Sequence, residues 1–225
     1  MTDTTTPDTA LPILYSLQYC PYAMRARLGI LLSEQAVMIR AITMNNKPEE
    51  MLIASPKGTV PVLVVDSDTI VDESLDIMLW ALKHSDPQNL LYSDQPDALA
   101  EMLKIITEND NEFKPSLEKY KRSKRFHNEA EAADRLACEP FIQRLDSRLA
   151  EHEFLMGATP SLLDYALLPF VRQFSKVNRQ LFRDGPYTNL QRWLDHHLQS
   201  RLFARAMLKY PLWLESGEAC LFGRE

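Results

Sequence analysis

Apolar residues in the first third of the chain form short continuous runs that alternate with repeats at helical spacing. Four runs of β-compatible residues predict strands: 13–17, 37–42, 62–65 and 69–71. Three further segments predict helices: 21–32, 49–53 and 74–84. The predicted order is therefore β-α-β-α-β-β-α, with the turn Asp66-Ser67-Asp68 joining the last two strands as a hairpin.

This order is that of a thioredoxin-like α/β domain, in which the first strand–helix turn carries the chemistry. We assign the domain to residues 11–85, after a polar segment, residues 1–10, that is predicted to be a disordered tail. Residues 86–96 contain two X-Pro pairs and few periodic apolar positions, so they are interpreted as an interdomain linker.

The pattern changes to a helical period from residue 97 to residue 225, as in the apolar stripe of Leu99, Met102, Leu103 and Ile106. No strand signal follows the hairpin, so the second domain is predicted to be an all-helical bundle. Prolines are expected to kink or divide its helices at three positions: Pro115, Pro140 and Pro169.

Charge and composition restrict the partners. The formal net charge of -6 argues against a general affinity for nucleic acid, and the basic residues between 119 and 125 are interpreted as a solvated helix end. No run of about 18 apolar residues exists, so no membrane segment is expected. The start of the chain lacks the basic-then-apolar order of a secretory signal.

The chain has three cysteines: Cys20, Cys138 and Cys220. They are too few and too scattered for a disulfide framework or a zinc site, so we expect no metal and a cytoplasmic location. Cys20 directly precedes a predicted helix, where unpaired N–H groups and the helix dipole favour a negatively charged sulfur. This placement predicts a nucleophilic thiolate, although a cysteine can also simply fill space under the sheet.

Ala23 occupies the position where a dithiol oxidoreductase has its second cysteine. Cys20 therefore has no neighbouring thiol with which to close a disulfide, and turnover needs a thiol from elsewhere. Glutathione is the abundant cytosolic thiol, while rescue by Cys138 or Cys220 stays open as an alternative.

Five segments resemble cysteine-type glutathione transferases, especially the omega class and its bacterial relatives: 15–27, 46–49, 58–63, 72–74 and 159–169. They occur in the family's order and at suitable intervals. The resemblance implies the glutathione transferase fold and a homodimer, and it marks Ser161 to Asp164 as a helix capping box without catalytic function.

The resemblance also implies a catalytic residue, Cys20, and six residues at the glutathione site: Tyr22, Lys47, Val60, Pro61, Glu73 and Ser74. In the family a cis proline follows the residue whose backbone pairs with glutathione, an acid–serine pair receives the γ-glutamyl end, and a lysine faces the glycyl end. The acceptor side is expected to include some of Met102, Ile106, Asp110, Phe113, Phe170, Phe174 and Trp213.

The function that the resemblance implies is that of a glutathione-dependent thiol transferase or reductase. Cys20 would form a mixed disulfide, glutathione would be the co-substrate, and the partner would be a small electrophilic or disulfide substrate. One alternative is a non-enzymatic scaffold with the same fold. Another is a conventional conjugating transferase, in which a nearby hydroxyl of Tyr15, Ser16, Tyr19 or Tyr22 activates glutathione.

Overall fold

The computed structural model describes residues 10–224, so residues 1–9 of the predicted tail lie outside the described residues. The first part of the chain forms seven elements in the predicted order: β1 (Ile13–Ser16), α1 (Pro21–Leu32), β2 (Val37–Ala41), α2 (Glu49–Ala54), β3 (Val62–Val64), β4 (Ile70–Val71) and α3 (Ser74–His84). Strand β1 pairs in parallel with β2 and antiparallel with β3, which pairs with β4. The predicted thioredoxin-like fold is confirmed.

The second part of the chain is built from helices: α4 (Ala98–Glu108), a π-helical turn (Asn109–Phe113), α5 (Lys114–Arg125), α6 (Glu131–Glu151), α7 (Leu162–Val177), α8 (Arg179–Asp184), α9 (Thr188–Leu198), α10 (Arg201–Ala206) and α11 (Trp213–Ser216). Pro140 and Pro169 lie inside α6 and α7, and neither proline divides its helix. Within residues 10–224, no helix is both long and apolar enough to cross a membrane.

A fifth strand, β5 (Cys220–Phe222), corrects the expectation that no strand follows the hairpin. It pairs antiparallel with β2 at the sheet edge, with Cys220 opposite Ile39. A three-residue strand has too few positions to show an alternating pattern, and it exists because the edge of β2 offers unpaired backbone groups. The sheet order is therefore β4-β3-β1-β2-β5.

Helix α1 is the element that joins the two parts of the molecule. It packs against α3 on one side and against α7 and α10 on the other, and every residue from Ala23 to Leu32 is buried. A Cβ atom on Gly29 would lie only 2.7 Å from the Cα of Met78, so glycine permits the close approach of α1 and α3. The N-terminus of α1, which carries Cys20, is thus held by both parts of the chain.

The capping box predicted at Ser161 is present at the start of α7. Both Asp164 carboxylate oxygens accept hydrogen bonds, from the Ser161 N–H at 2.8 Å and from the Leu155 N–H and Trp193 Nε1–H at 2.9 and 2.8 Å. Burial raises the pKa of Asp164, and these donors oppose that effect. The interactions tie α7 to α9 and to the preceding loop.

His197, at the end of α9, is expected to make the free energy of unfolding sensitive to acid. The residue is 2 % exposed and lies among aromatic rings, and its Nε2 has no hydrogen-bond partner among residues 10–224. Burial and then the adjacent His196 lower its pKa to about 3. The unfolded chain takes up this proton near the ordinary histidine pKa of ~6.5. Stability from this group is therefore complete above that pH and declines as the pH falls below it.

Between pH 7.5 and 5.5 we expect His197 to remove about 1.4 kcal/mol from the free energy of unfolding. Urea denaturation of the native protein and of His197→Leu at both pH values measures this difference, because all other titrating groups are common to the two proteins. An identical pH dependence in both proteins would contradict the assignment.

Candidate active site

Cys20 lies where strand β1 turns into helix α1. It occupies the N-cap position in extended conformation, with φ -71° and ψ 126°, and no side chain caps the first turn. Pro21 follows at the first helical position, where a missing N–H costs nothing. The next N–H groups of the first turn therefore lack helical partners near the sulfur, and the helix dipole there favours a negative charge.

The second part of the site is the turn that precedes β3. The Val60–Pro61 peptide bond is cis, and the Cys20 S–H donates to the Val60 carbonyl with an Sγ···O distance of 3.9 Å. The Val60 N–H forms no hydrogen bond to any of residues 10–224. An unpaired backbone donor beside a cysteine is suited to an extended peptide, which can pair with it as an added strand does.

Lys47 lies against the same turn. Its Nζ is 3.5 Å from the position that a Cβ atom on Gly58 would take, and the positive φ of Gly58, 61°, favours glycine. Lys47 is half-buried. The structure thus brings an ammonium group to the loop that leads into Val60.

Glu73 and Ser74 begin helix α3. Glu73 is the N-cap residue, but its side chain does not cap the helix, and the N–H groups of residues 74–76 form no hydrogen bond to any of residues 10–224. Ser74 is buried, and its Oγ accepts from Arg25 Nη1 at 3.4 Å. A helix N-terminus with a serine hydroxyl is suited to a carboxylate ligand, and the exposed Glu73 carboxylate is suited to an ammonium group.

Lys57 is a neighbour of this pair that the sequence patterns did not indicate. Its Nζ donates to the Glu73 carboxylate at 2.8 Å and to Asp72 at 3.0 Å. A hydrogen bond from the Ser55 hydroxyl, together with Lys57, lowers the pKa of Asp72. The turn 55–58 and the start of α3 are thereby linked on the exposed side of the site.

Arg25 lies beneath the site and is fully buried. Its guanidinium donates to both carboxylate oxygens of Asp110, at 2.7 and 2.8 Å, and its Nε donates to the Ala166 carbonyl at 3.0 Å. Asp110 belongs to the π-helical turn, a local irregularity of the kind often found at functional sites. One arginine therefore connects α1, Ser74, the π-helical turn and α7.

Arg27 supports the loop that precedes Cys20. Its guanidinium donates to the Leu17 and Gln18 carbonyls at 3.2 and 2.8 Å, and its Nε donates to the Ala206 carbonyl at 2.8 Å. Burial lowers the pKa of Arg27 to about 10, while the nearby Cys20 sulfur opposes that shift. Arg27 is thus the buried cation that remains within electrostatic range of the thiol.

The nearby hydroxyl groups differ in burial and in the pKa that burial gives them. Burial, and then the Asp110 charge, raise the pKa of Tyr22 to about 12, and burial raises the pKa of Tyr15 as well. Ser16 is buried and accepts a hydrogen bond from Arg27, whereas Tyr19 is 73 % exposed. Neither Tyr15 nor Tyr22 is therefore favoured as a tyrosinate at neutral pH.

Most of the residues expected on the acceptor side are buried in the core and do not line an open cleft. Five are at most 5 % exposed and belong to the core: Met102, Ile106, Phe113, Phe170 and Phe174. Asp110 is engaged by Arg25, and Trp213 lies under the Arg40 guanidinium, 3.9 Å from its ring centroid. Helical spacing alone does not distinguish a pocket-lining residue from a core residue.

The chain combines a thioredoxin-like domain with a second part built from helices. The first domain has a cysteine at its first helix, a cis proline and an acid–serine pair. This combination defines a class of thiol-handling proteins. Two family models match this chain: the glutathione S-transferase N-terminal domain over residues 14–89 and the glutathione S-transferase C-terminal domain over residues 128–196. The chain belongs to the glutathione S-transferase superfamily.

Individual proteins agree with this assignment. The chain is 27 % identical over 200 residues to the glutathione S-transferase omega-1 of Mus musculus, covering 88 % of this chain and 77 % of the mouse protein. Two solved structures share the fold. A glutathione transferase family member from Pseudomonas fluorescens with two bound glutathione molecules has a TM-score of 0.76 at 15 % identity, covering 90 % of this chain and 95 % of that one. Glutathione transferase Omega 2C from Trametes versicolor has a TM-score of 0.71 at 19 % identity, covering 88 % and 93 %.

Proposed function

We propose that this protein is a glutathione-dependent thiol transferase in which Cys20 is the nucleophile. The observation that carries the proposal is the position of Cys20 at the uncapped start of α1, 3.9 Å from the carbonyl of a residue whose own N–H is unpaired. A glutathione peptide paired with Val60 would bring its sulfur next to Cys20. The omega-1 name of the mouse relative supports the same class of activity.

The other groups fit the ends of glutathione. The α3 N-terminus with Ser74 suits the α-carboxylate of the γ-glutamyl group, Glu73 suits its ammonium group, and Lys47 suits the glycyl carboxylate. Tyr22 lies within electrostatic range of Cys20, and its high pKa keeps its hydroxyl protonated as a hydrogen-bond donor. We therefore assign Tyr22, Lys47, Val60, Pro61, Glu73 and Ser74 to glutathione binding.

The reaction proceeds in two exchanges. The Cys20 thiolate attacks the glutathionyl sulfur of a mixed disulfide, the old S–S bond breaks, and the acceptor leaves as a thiolate that takes up a proton. A second glutathione, as thiolate, attacks the Cys20–glutathione disulfide, releases glutathione disulfide and regenerates Cys20. Its thiol proton balances the one taken up by the leaving thiolate. Because position 23 is alanine, no neighbouring cysteine competes with this second step.

The experiment that tests this function is incubation with glutathione disulfide followed by intact mass and peptide mapping. We expect a single adduct of about 305 Da, located on Cys20 and removed by reduced glutathione. A protein that neither forms the adduct nor binds glutathione would be a scaffold. A protein that forms no adduct but conjugates glutathione to an electrophile would be a conventional transferase.

A further inference from the structure

Three cations lie close together at the end of α7 and the start of α8. Arg172 and Lys176 are four residues apart on α7 and therefore share a face of that helix, and Arg179 begins α8 directly after it. None of the three forms an ion pair with any of residues 10–224. In a chain with a net charge of -6, the three cations form a local concentration of positive charge.

Contacts place α7 beside the start of α1, and Arg172 beside the helix that leads to the cysteine loop. The Phe170 ring packs edge-on against Tyr22, which is in the first turn of α1, with ring centroids 5.1 Å apart. The Arg172 guanidinium lies 5.4 Å from the Phe203 ring of α10. Helix α10 is followed directly by Met207, whose carbonyl accepts from the Gln18 side chain of the cysteine loop at 2.7 Å.

The pKa shifts of Lys176 and Arg172 agree with these contacts. Partial desolvation of the largely exposed Lys176 lowers its pKa, and the like charges of Arg172 and Arg179 lower it further. Burial also lowers the pKa of Arg172, while a charge on the Tyr19 hydroxyl would raise it. The three cations therefore repel one another, and Arg172 is within electrostatic range of the residue that precedes Cys20.

We propose that Arg172, Lys176 and Arg179 form an anion-selective entrance to Cys20, which favours acceptors that carry a carboxylate or a similar anionic group. An anionic acceptor would relieve the mutual repulsion of the three cations, none of which is paired with an acidic side chain in the described part of the chain. The proposal specifies the class of acceptor that the proposed thiol transferase uses, and in that respect it rests on the proposed function. The electrostatic effect of the entrance on the sulfur is independent of turnover.

The first test is the alkylation rate of Cys20 by iodoacetate, which is anionic, relative to iodoacetamide, which is neutral. In both reactions the thiolate displaces iodide and an S–C bond forms, so the ratio of the two rates reports the local charge. We expect Lys176→Gln/Arg179→Gln to lower this ratio about 5-fold, and 0.5 M salt to lower it in the native protein. Mapping of the tryptic peptide that contains Cys20 separates its alkylation from that of Cys220.

A matched control has the same change of net charge. Arg201 and Arg224 line a surface cavity with Leu31 and Glu34 at the far end of α1, about 18 Å along the helix from Cys20. We expect Arg201→Gln/Arg224→Gln to leave the ratio within 2-fold of the native value. Lys176 and Arg179 are exposed, so their replacement leaves the core intact. A ratio that stays within 2-fold in Lys176→Gln/Arg179→Gln overturns the proposal.

The second test compares the mixed disulfides of glutathione with 3-mercaptopropionate and with 2-mercaptoethanol, with reduced glutathione as the thiol. We expect the ratio of kcat/KM, anionic over neutral, to fall about 5-fold in Lys176→Gln/Arg179→Gln and not in the control. An unchanged ratio overturns the acceptor preference. Should the native protein turn over neither disulfide while its alkylation ratio still depends on the cations, the proposed function fails and the entrance stands.

Discussion

Replacing Cys20 with serine is expected to lower the rate of disulfide reduction with glutathione by on the order of 10³-fold or more. The serine hydroxyl would have the same uncapped helix start and the same Val60 carbonyl beside it. It is, however, almost wholly protonated at neutral pH, and an oxygen atom cannot form the mixed disulfide. The measurement is kcat/KM for glutathione–mercaptoethanol disulfide, coupled to reduction of the glutathione disulfide formed.

The matched control is Cys220→Ser. Cys220 is a partly buried thiol in β5, and it is paired with Ile39 rather than placed at the start of a helix. We expect this variant to keep native kcat/KM within 2-fold. If Cys20→Ser retained native turnover and Cys220→Ser lost it, the nucleophile would have been misassigned. Conjugation activity that persisted in Cys20→Ser would indicate activation of glutathione by a hydroxyl group.

Much of this fold could be predicted from the sequence because its signals are local. The segment 74–84 is helical over that range in the structure, and Ser161 and Asp164 form the capping box that their spacing indicates. Val60–Pro61 is cis, as the resemblance to cysteine-type transferases implied. Each of these features depends on residues close together in the chain, so the pattern contains the necessary information.

Features that join distant parts of the chain could not be predicted in this way. The sequence places Arg25 shortly after Cys20, but it does not show that the Asp110 carboxylate, 85 residues away, pairs with the Arg25 guanidinium. Two other features also join separate segments of the chain: the ion pair of Lys57 with Glu73 and the pairing of strand β5 with β2. A charged residue in a sequence does not specify its partner, and an edge strand of three residues is determined by the sheet it joins.

The pairing of Arg25 with Asp110 is expected to have the largest effect on stability. In Asp110→Asn the guanidinium of Arg25, which is 0 % exposed, keeps its charge and loses its carboxylate. We expect the free energy of unfolding to fall by about 3 kcal/mol, because an uncompensated buried charge is costly. The value lies at the low end of the usual range since 26 % of the Asp110 side chain is exposed. Urea denaturation at neutral pH measures it.

Two variants separate this cause from a general disturbance of the π-helical turn. Glu108→Gln breaks the exposed pair of Glu108 with Arg144 at the end of α4 and should cost at most about 1 kcal/mol. Adding Arg25→Met to Asp110→Asn removes the uncompensated charge, so the double variant should lose less than the sum of the two single losses. Strict additivity would mean that the two side chains do not act as a pair. Because Arg25 also donates to Ser74, the Asp110→Asn protein should bind glutathione more weakly while its Cys20 is alkylated by iodoacetamide at a near-native rate.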